Sequence, residues 1–225
     1  MCIRDRDHPE VLAGRDLKGK GTWLGITRQE RFAAITNYRN PASFMFDAKS
    51  RGKLVKDFLC GKKTAEKFMD KIGPHGAKYN GYNLILQDTD GFYHYSNRGG
   101  EKQKITAGIH GLSNHLLDTP WPKVVRAKKL MKEALKYKGS ALEEVLFALL
   151  ADRRFPPQEK LPSTGVDKDW EKVLSPIFIK SPNYGTRSST VLLVGKNRRV
   201  TFIEKVFDGT DEPWLVSRFN FTLDK

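Results

Sequence analysis

The clearest pattern of apolar and polar positions along the chain is a pair of apolar-rich runs, residues 21–27 and 31–39, separated by three polar residues. Two such runs around a polar break predict a β-hairpin of two central strands. The second run ends on Thr36-Asn37-Tyr38-Arg39. Because a strand is rigid, polar groups at its end are held accurately, which favours a binding or catalytic site. The alternative is that Asn37 and Arg39 only open a loop.

Groups of strands and groups of helices follow one another along the rest of the chain. Apolar residues at helical spacing predict four helices, at 50–59, 64–72, 123–137 and 142–150. Strand patterns predict a second hairpin across an Asp-Gly turn, two short strands and three closing strands, at 82–88, 92–97, 104–106, 108–112, 190–195, 199–207 and 214–223. Ser140 and Glu143 form a capping-box pattern at the start of the last helix, and residues 152–172 predict a surface connection. Strand and helix do not alternate regularly, so the order favours the α+β class with antiparallel sheets and helices on their outer faces.

Composition narrows the classes of protein that fit. The chain is 39% hydrophobic and 29% charged, which is typical of a soluble globular protein. No apolar run approaches the roughly 18–20 residues that a membrane span requires, so no transmembrane segment is predicted. Two cysteines, Cys2 and Cys60, exclude a disulfide framework and a zinc site of four thiolates. A cytoplasmic location is the default expectation.

The net charge of +14 raises the question of a nucleic-acid partner. The basic residues are most concentrated on the predicted helix 123–137, where an apolar stripe leaves the lysines on the solvated face. No nucleic-acid motif accompanies them, so nucleic acid is not the expected partner, and a basic nucleic-acid binder stays an alternative. A small anionic or amphipathic ligand, or a membrane surface, is compatible with the charge.

Histidine and cysteine offer little candidate chemistry. His110 and His115 are five residues apart across a predicted strand end, which is poor spacing for a shared metal, and no metal site is predicted. Cys60, on a predicted helix, fits a small buried hydrophobe better than a nucleophile.

The first six residues follow no strand or helix pattern. Residues 1–6 carry three charges within four positions and look like the translation of a sequencing adapter. We therefore expect residues 1–6 to be foreign to the protein and the native chain to begin near Asp7.

Eight polar motifs, taken in order, resemble one known family. They are Ala13-Gly14-Arg15-Asp16-Leu17, Gly21-Thr22-Trp23-Leu24-Gly25, Thr36-Asn37-Tyr38-Arg39, Ser50-Arg51-Gly52, Tyr95-Ser96-Asn97-Arg98, Gly111-Leu112-Ser113-Asn114, Leu117-Asp118-Thr119-Pro120-Trp121-Pro122-Lys123-Val124 and Tyr184-Gly185-Thr186-Arg187-Ser188-Ser189-Thr190-Val191. The family is the NRDE proteins, also called the transport-and-Golgi-organisation protein 2 family, and the resemblance runs from Asp7 to the C-terminus. Lys20 is a departure, because the family usually has a glycine before Gly21.

The resemblance implies a four-layer αββα sandwich of the N-terminal-nucleophile-hydrolase type, formed by residues 7–225 as a single domain. It also implies kinship with the choloylglycine hydrolase and penicillin V acylase group, in which an N-terminal cysteine attacks an amide carbonyl and the chain's own α-amino group is the base. By position, Asn37 and Asn114 are predicted to stabilise the oxyanion, and Arg187 to orient the N-terminal group. Four residues are predicted to contact a ligand: Thr22, Trp23, Tyr38 and Arg39.

The start of the chain departs from the family. Members begin with Met-Cys and a hydrophobic strand and carry an Asn-Arg-Asp-Glu signature, all ahead of the Ala-Gly-Arg-Asp-Leu motif. That segment is absent here, so the first strand of one sheet is expected to be missing, which would expose a sheet edge. Nothing after Cys2 resembles the family strand, so the nucleophile role is not assigned to Cys2. The chain as written is predicted to be inactive as an enzyme.

The resemblance implies two functions of different kinds. The family's biochemical activity is not established. Its eukaryotic members are associated with membrane-trafficking phenotypes, and members have been implicated in haem movement and lipid metabolism. A carrier of haem or of a lipid-type ligand is therefore the first prediction. The alternative is an N-terminal-cysteine hydrolase of amides or thioesters, active in the full-length protein.

Overall fold

The computed structural model describes residues 2–5, 8–99, 101–210 and 212–224, and its chain divides into two compact units. The first unit contains the described residues up to Gly108, the segment Leu112–Leu117 and the end of the chain from Leu223. The second unit contains Ile109–Gly111 and Asp118–Thr222. The single domain predicted for residues 7–225 stays a prediction.

An antiparallel sheet of seven strands forms the first unit, and its strands follow one another in chain order. The strands are β1 (Cys2–Asp5), β2 (His8–Gly14), β3 (Leu24–Thr27), β4 (Phe32–Asn37), β5 (Tyr82–Asp88), β6 (Gly91–Ser96) and β7 (Gln103–Ile105). Both predicted hairpins are confirmed, as β3 with β4 and as β5 with β6. Alternation of apolar and polar residues therefore located the centre of this sheet correctly.

Two helices, α1 (Gly52–Leu59) and α2 (Ala65–Ile72), cover one face of the seven-stranded sheet. Apolar residues at helical spacing give each helix one buried side. Phe58 and Phe68 meet edge to face, 5.4 Å between ring centroids, in a core that includes Leu84 from β5. Thr64 caps α2 by accepting a hydrogen bond from the Lys67 N–H. Each helix is thus fixed to the sheet by a continuous apolar core.

The second unit combines a three-stranded antiparallel sheet with three helices. The helices are α3 (Pro122–Ala134), α4 (Gly139–Leu150) and α5 (Lys168–Val173), and the strands are β8 (Ser188–Val194), β9 (Arg199–Val206) and β10 (Leu215–Thr222). The strand order is β10-β9-β8. Ala134, Leu146 and Val191 form a buried cluster that joins α3 and α4 to β8. The α+β class with antiparallel sheets is therefore confirmed.

Two local predictions are wrong. Residues 108–112 form no strand, because the Gly111 carbonyl accepts the N–H of Asp118 at 2.8 Å and this closes a local turn. Helix α4 begins at Gly139 with Lys138 at the N-cap position, so Ser140 lies inside the helix and caps nothing. The predicted surface connection at residues 152–172 is mostly exposed, and it also contains a short 3-10 helix, Gln158–Lys160, and the start of α5.

The N-terminal end of the described chain takes part in the sheet of the first unit. The backbone of Cys2–Asp5 pairs with β2, although no strand pattern predicted it, while Met1, Arg6 and Asp7 lie outside the described residues. That residues 1–6 are foreign to the protein stays a prediction.

Within the described part of the chain, no helix combines the length and the apolar character needed to cross a membrane.

Candidate functional site

The polar end of β4 is bound to a later segment of the same unit. Thr36 Oγ1 donates to the Ser113 carbonyl at 2.9 Å, and the Arg39 N–H donates to the Asn114 carbonyl at 2.7 Å. Asn114 Nδ2 in turn donates to the Asn37 carbonyl at 3.0 Å. The structure thus brings together Asn37 and Asn114, the two predicted oxyanion donors. Asn37 is exposed, whereas the Asn114 amide is engaged by a backbone carbonyl, and the oxyanion role of both stays a prediction.

Tyr38 and His115 form a second link between these segments. The Tyr38 hydroxyl lies 2.8 Å from His115 Nε2, and the two rings are 4.9 Å apart between centroids. Burial lowers the pKa of His115, which favours the neutral imidazole. In the tautomer with the proton on Nδ1, His115 Nε2 accepts the phenol proton. The pair therefore fixes the direction in which Tyr38 points.

Asn83, near the start of β5, is a fully buried amide that holds this arrangement. Its Nδ2 donates to the His115 carbonyl at 2.9 Å and to Thr36 Oγ1 at 3.3 Å. Its Oδ1 lies 3.3 Å from His94 Nε2, and His94 Nδ1 lies 3.2 Å from Gln103 Nε2. One neutral tautomer of His94 satisfies both contacts, donating through Nε2 and accepting at Nδ1. A chain of hydrogen bonds therefore runs from β7 to the end of β4.

Neither Asn83 nor His94 is singled out by the sequence analysis. The available signal was an amide inside the apolar run Tyr82-Asn83-Leu84-Ile85-Leu86. A buried polar side chain is almost always hydrogen-bonded, so this position marks a structural anchor.

Two guanidinium groups surround Gly81 on the same unit. Arg51 Nη1 donates to the Gly81 carbonyl at 2.9 Å, and its guanidinium carbon lies 5.7 Å from the centroid of the Trp23 ring. Arg98 Nη2 donates to Ser43 Oγ at 3.1 Å. Arg98 Nε is buried and has no hydrogen-bond partner among the described residues. Burial lowers the pKa of Arg51, and arginine is nevertheless always charged at neutral pH.

Glycine at position 81 permits this close grouping. A Cβ there would lie 3.0 Å from Tyr38 Cβ and 3.3 Å from Arg98 Nε. Tyr38, Arg51 and Arg98 therefore meet at one backbone position. We call Trp23, Tyr38, Arg51, Gly81 and Arg98 the arginine face.

The four predicted ligand-binding residues occupy different environments. Trp23 and Tyr38 lie on the arginine face, and Trp23 is 42% exposed. Thr22 is buried, and its hydroxyl donates to the Leu24 carbonyl at 3.1 Å, which gives it a structural contact. Arg39 is half-buried directly after Tyr38. Contact of any of the four with a ligand stays a prediction.

Arg187 belongs to the second unit. It is exposed, directly precedes β8 and lines a cavity of about 330 Å³ together with Asp208 and Thr210. Hydrogen bonds from Thr210 lower the pKa of Asp208, and the charge of Arg187 adds a smaller effect. The predicted joint role of Arg187 with Asn37 and Asn114, which belong to the first unit, stays a prediction.

His110 takes part in an ion-pair cluster of the second unit. Asp118 receives hydrogen bonds from His110 Nδ1 at 2.6 Å, from Lys128 Nζ at 2.7 Å and from the Gly111 N–H at 2.9 Å. Burial by itself would raise the pKa of Asp118, but these hydrogen bonds lower it to about 2. Within the described ranges, no group of three His, Cys, Asp or Glu residues could hold a metal ion.

A family profile and several known proteins that are similar to this chain all carry the same family name. The sequence profile of the family described as Transport and Golgi organisation 2 matches residues 1–209. A mouse protein named Transport and Golgi organization 2 homolog is 34% identical, over 96% of this chain and 84% of its own length. A human protein named Transport and Golgi organization protein 2 homolog is 35% identical, over 95% and 83%, and a Drosophila melanogaster protein named Transport and Golgi organization protein 2 is 26% identical, over 91% and 79%. The chain belongs to the Transport and Golgi organisation 2 family, as its eight ordered motifs predicted.

Proposed function

We propose that this protein binds an anionic amphipathic ligand of the haem or lipid type on the arginine face and acts as its carrier. The observation that carries the proposal is the grouping of Arg51 and Arg98 around Gly81, next to the exposed Trp23 ring. Guanidinium groups pair with carboxylate or phosphate oxygens in a bidentate geometry. An indole ring offers apolar contact area beside them. The two chemistries together fit a ligand that has a charged end and an apolar body.

The hydrogen bonding of Arg98 supports an anionic ligand. Its Nη2 is bonded to Ser43, while its buried Nε–H has no partner in the described part of the chain. A buried donor without an acceptor costs about 1–3 kcal/mol. A ligand oxygen that reaches this group after a small movement of the side chain would remove that cost.

Titration with two probes, haemin and palmitoyl-CoA, tests the proposal. Saturable binding is expected, with haemin followed by absorbance and palmitoyl-CoA by calorimetry. Arg51→Gln is expected to weaken binding about 10- to 100-fold, because a hydrogen bond to a charged group contributes about 1.5–3 kcal/mol. Trp23→Ala is expected to weaken it as well, and Arg51→Lys should retain part of the affinity because the charge remains.

Matched controls come from the second unit. Trp214 is an exposed indole and Arg154 an exposed guanidinium, so Trp214→Ala and Arg154→Gln change the same groups away from the arginine face. Both should bind like the unchanged protein. Absence of saturable binding for both probes would contradict the proposal, as would equal losses in the control variants.

A second candidate function is a cysteine-dependent hydrolase of amides or thioesters. The hydrogen bond from Asn114 Nδ2 to the Asn37 carbonyl favours it, because it brings to one end of β4 the two asparagines that the resemblance predicts as oxyanion donors. The test is a substrate screen with a family member that begins with Met-Cys, compared with its Cys-to-Ala variant. Turnover that survives loss of the cysteine, or no turnover on any amide or thioester, would count against this candidate.

For the fold as a whole we propose the four-layer N-terminal-nucleophile-hydrolase type of sandwich. It is supported by the presence, in each unit, of an antiparallel sheet packed with helices. A crystal structure in which the two sheets do not face each other would contradict it. We also propose a cytoplasmic location, which subcellular fractionation of the native host would test.

A further inference from the structure

One loop of the first unit, between β4 and α1, presents successive apolar side chains to solvent. Phe46 is 94% exposed and Phe44 is 59% exposed, and their rings meet edge to face with centroids 5.3 Å apart. Met45 between them is exposed as well. Single exposed apolar residues are ordinary, whereas a contiguous patch usually marks an interaction surface. We call residues 44–46 the phenylalanine loop.

The backbone of the phenylalanine loop is held in place by the rest of the unit. The Met45 N–H donates to Asn80 Oδ1 at 2.8 Å, and Asn80 Nδ2 donates to the Met45 carbonyl at 2.8 Å. A short 3-10 helix, Pro41–Ser43, precedes the loop, and the Phe44 N–H donates to the Pro41 carbonyl at 3.1 Å. The two rings are therefore displayed on a preorganised backbone, which reduces the entropy lost when they dock.

Three exposed lysines lie near the phenylalanine loop in the chain or through backbone contact. Lys49 and Lys53 follow it and are exposed, and the Lys49 N–H donates to the Lys78 carbonyl at 3.0 Å, which brings a third exposed lysine close. Asp47 is the carboxylate of this segment and offsets one of these charges. An apolar loop with exposed lysines close to it is complementary to an anionic lipid surface, where each nearby Lys or Arg contributes about 1 kcal/mol.

A neighbouring turn repeats the same chemistry. Leu17 is 72% exposed and is followed by the exposed residues Lys18 and Lys20. A Cβ placed on Gly19 would lie 3.0 Å from Ser50 Oγ, so this turn touches the segment that carries the lysines of the loop. Two adjacent loops of one unit therefore each combine an exposed apolar residue with flanking lysines.

We propose that the phenylalanine loop docks the protein on the surface of a bilayer that contains anionic phospholipid. Phe44 and Phe46 enter the interface between headgroups and acyl chains, where aromatic rings are favoured, and the lysines contact lipid phosphates. Leu17 provides a second, shallower contact. This surface goes beyond the proposed function, since none of its residues belongs to the arginine face.

Vesicle sedimentation tests the proposal, with vesicles of phosphatidylcholine alone or mixed with phosphatidylserine. The protein should bind the mixed vesicles and bind pure phosphatidylcholine more weakly. The double variant Phe44→Ser with Phe46→Ser should lower the partition coefficient at least about tenfold, because two aromatic side chains no longer insert. Phe155→Ser removes a ring of similar exposure, 56%, from the second unit and should leave partitioning unchanged.

A fluorescent variant gives a readout that does not depend on removing the rings. Phe46→Trp should bind as the unchanged protein does. Because the chain already has four tryptophans, the emission gained relative to the unchanged protein is the signal, and it should shift to the blue and be quenched by lipids brominated on the acyl chain. Lys49→Glu with Lys53→Glu should weaken binding to the mixed vesicles and make the remaining binding less sensitive to salt, because fewer lysines contact lipid phosphates.

Three outcomes would overturn the proposal. The first is no binding to either kind of vesicle. The second is binding that the charge-reversal variant abolishes but the Phe44/Phe46 double variant retains. The third is a change of oligomeric state in the double variant without a change in partitioning. The second would mean that the net charge alone attracts the protein, and the third that a second copy covers the loop. Haemin affinity should stay unchanged in the double variant, so failure of this proposal and failure of the proposed function are distinguishable.

Discussion

Replacing Asn83 by alanine tests whether one buried amide holds the polar end of β4. The change removes the 2.9 Å bond to the His115 carbonyl and two longer bonds of 3.3 Å, to Thr36 Oγ1 and from His94 Nε2. The net contribution of one hydrogen bond to the free energy of unfolding is about 1 kcal/mol, and a buried polar group left without its partner costs about 1–3 kcal/mol. Because two of the three bonds are long, we expect a loss of about 3 kcal/mol in the free energy of unfolding.

The assay is urea unfolding followed by circular dichroism and tryptophan fluorescence. With a slope of about 1–3 kcal/mol per molar urea, this loss lowers the midpoint by about 1–3 M. Gln29→Ala is the matched control, because its amide makes one exposed hydrogen bond, to Asp224, within the same unit. The control should change stability by less than about 0.5 kcal/mol. A loss below about 1 kcal/mol in Asn83→Ala would refute the anchoring role.

Asn83→Asp tests the burial of position 83 through the pH dependence of stability. The carboxylate can still accept from His94 but cannot donate to Thr36 or to the His115 carbonyl. Burial raises the pKa of such a carboxyl, so the folded state binds its proton more tightly than the unfolded state does. Stability of this variant relative to the unchanged protein should therefore fall as pH rises above about 4. A difference that does not vary with pH would show that position 83 is not buried in solution.

Three further predictions concern other parts of the chain, and urea midpoints check all of them. Lys20 has a φ of +58°, a left-handed conformation that costs a residue with a Cβ about 1 kcal/mol, so Lys20→Gly should raise the midpoint, and a lower one would contradict this. The pKa of Asp118 is lowered to about 2 from 3.8, so its ion pair with Lys128 stabilises the fold above pH 3.8 and this stability is lost as pH falls towards 2. After allowance for solvent screening the effect is about 1 kcal/mol, and Asp118→Asn should abolish it; an unchanged acid profile would be the contrary result. Gly25→Ala would place a Cβ 2.7 Å from Leu59 Cδ1, so overpacking should cost about 1–3 kcal/mol, whereas an unchanged midpoint would mean that α1 moves freely.

The strand pairs of the first unit could be predicted because their signals are local. The turn at Gly91 has a φ of +121°, which suits glycine, and it follows the strong Asp-Gly signal. Lys20 is the opposite case, because a residue with a Cβ occupies a left-handed backbone conformation there. The family usually has glycine next to Gly21, and the left-handed backbone at Lys20 gives a physical reason for that preference.

The partners of the polar residues could not be predicted, because they lie far apart in sequence. Asn83 holds His115, 32 residues later, and Tyr38 meets the same histidine from 77 residues away. Periodicity shows which face of a strand a side chain occupies but not which distant loop comes to rest on it. The start of α4 failed for another reason. Gly139, with a φ of +57°, begins the helix after a turn of four residues that follows α3, and this turn overrides the capping preference of Ser140.

The chain-order arrangement of the seven strands has a kinetic consequence. Each strand pairs with the strand before it, and the pairs β3–β4 and β5–β6 are short hairpins, which close in about 1–10 μs. The β4–β5 pair is different, since residues 38–81 and both helices of the unit must be spanned before Phe32 can align with Gln87. The entropy lost on closing this long loop rises only logarithmically with its length. It must nevertheless be lost before the long-range contacts between β4 and β5 can stabilise the sheet. During synthesis the first four strands leave the ribosome before β5 has been made. The backbone N–H and C=O groups on one side of β4 therefore stay unpaired until the second hairpin emerges and pairs with it.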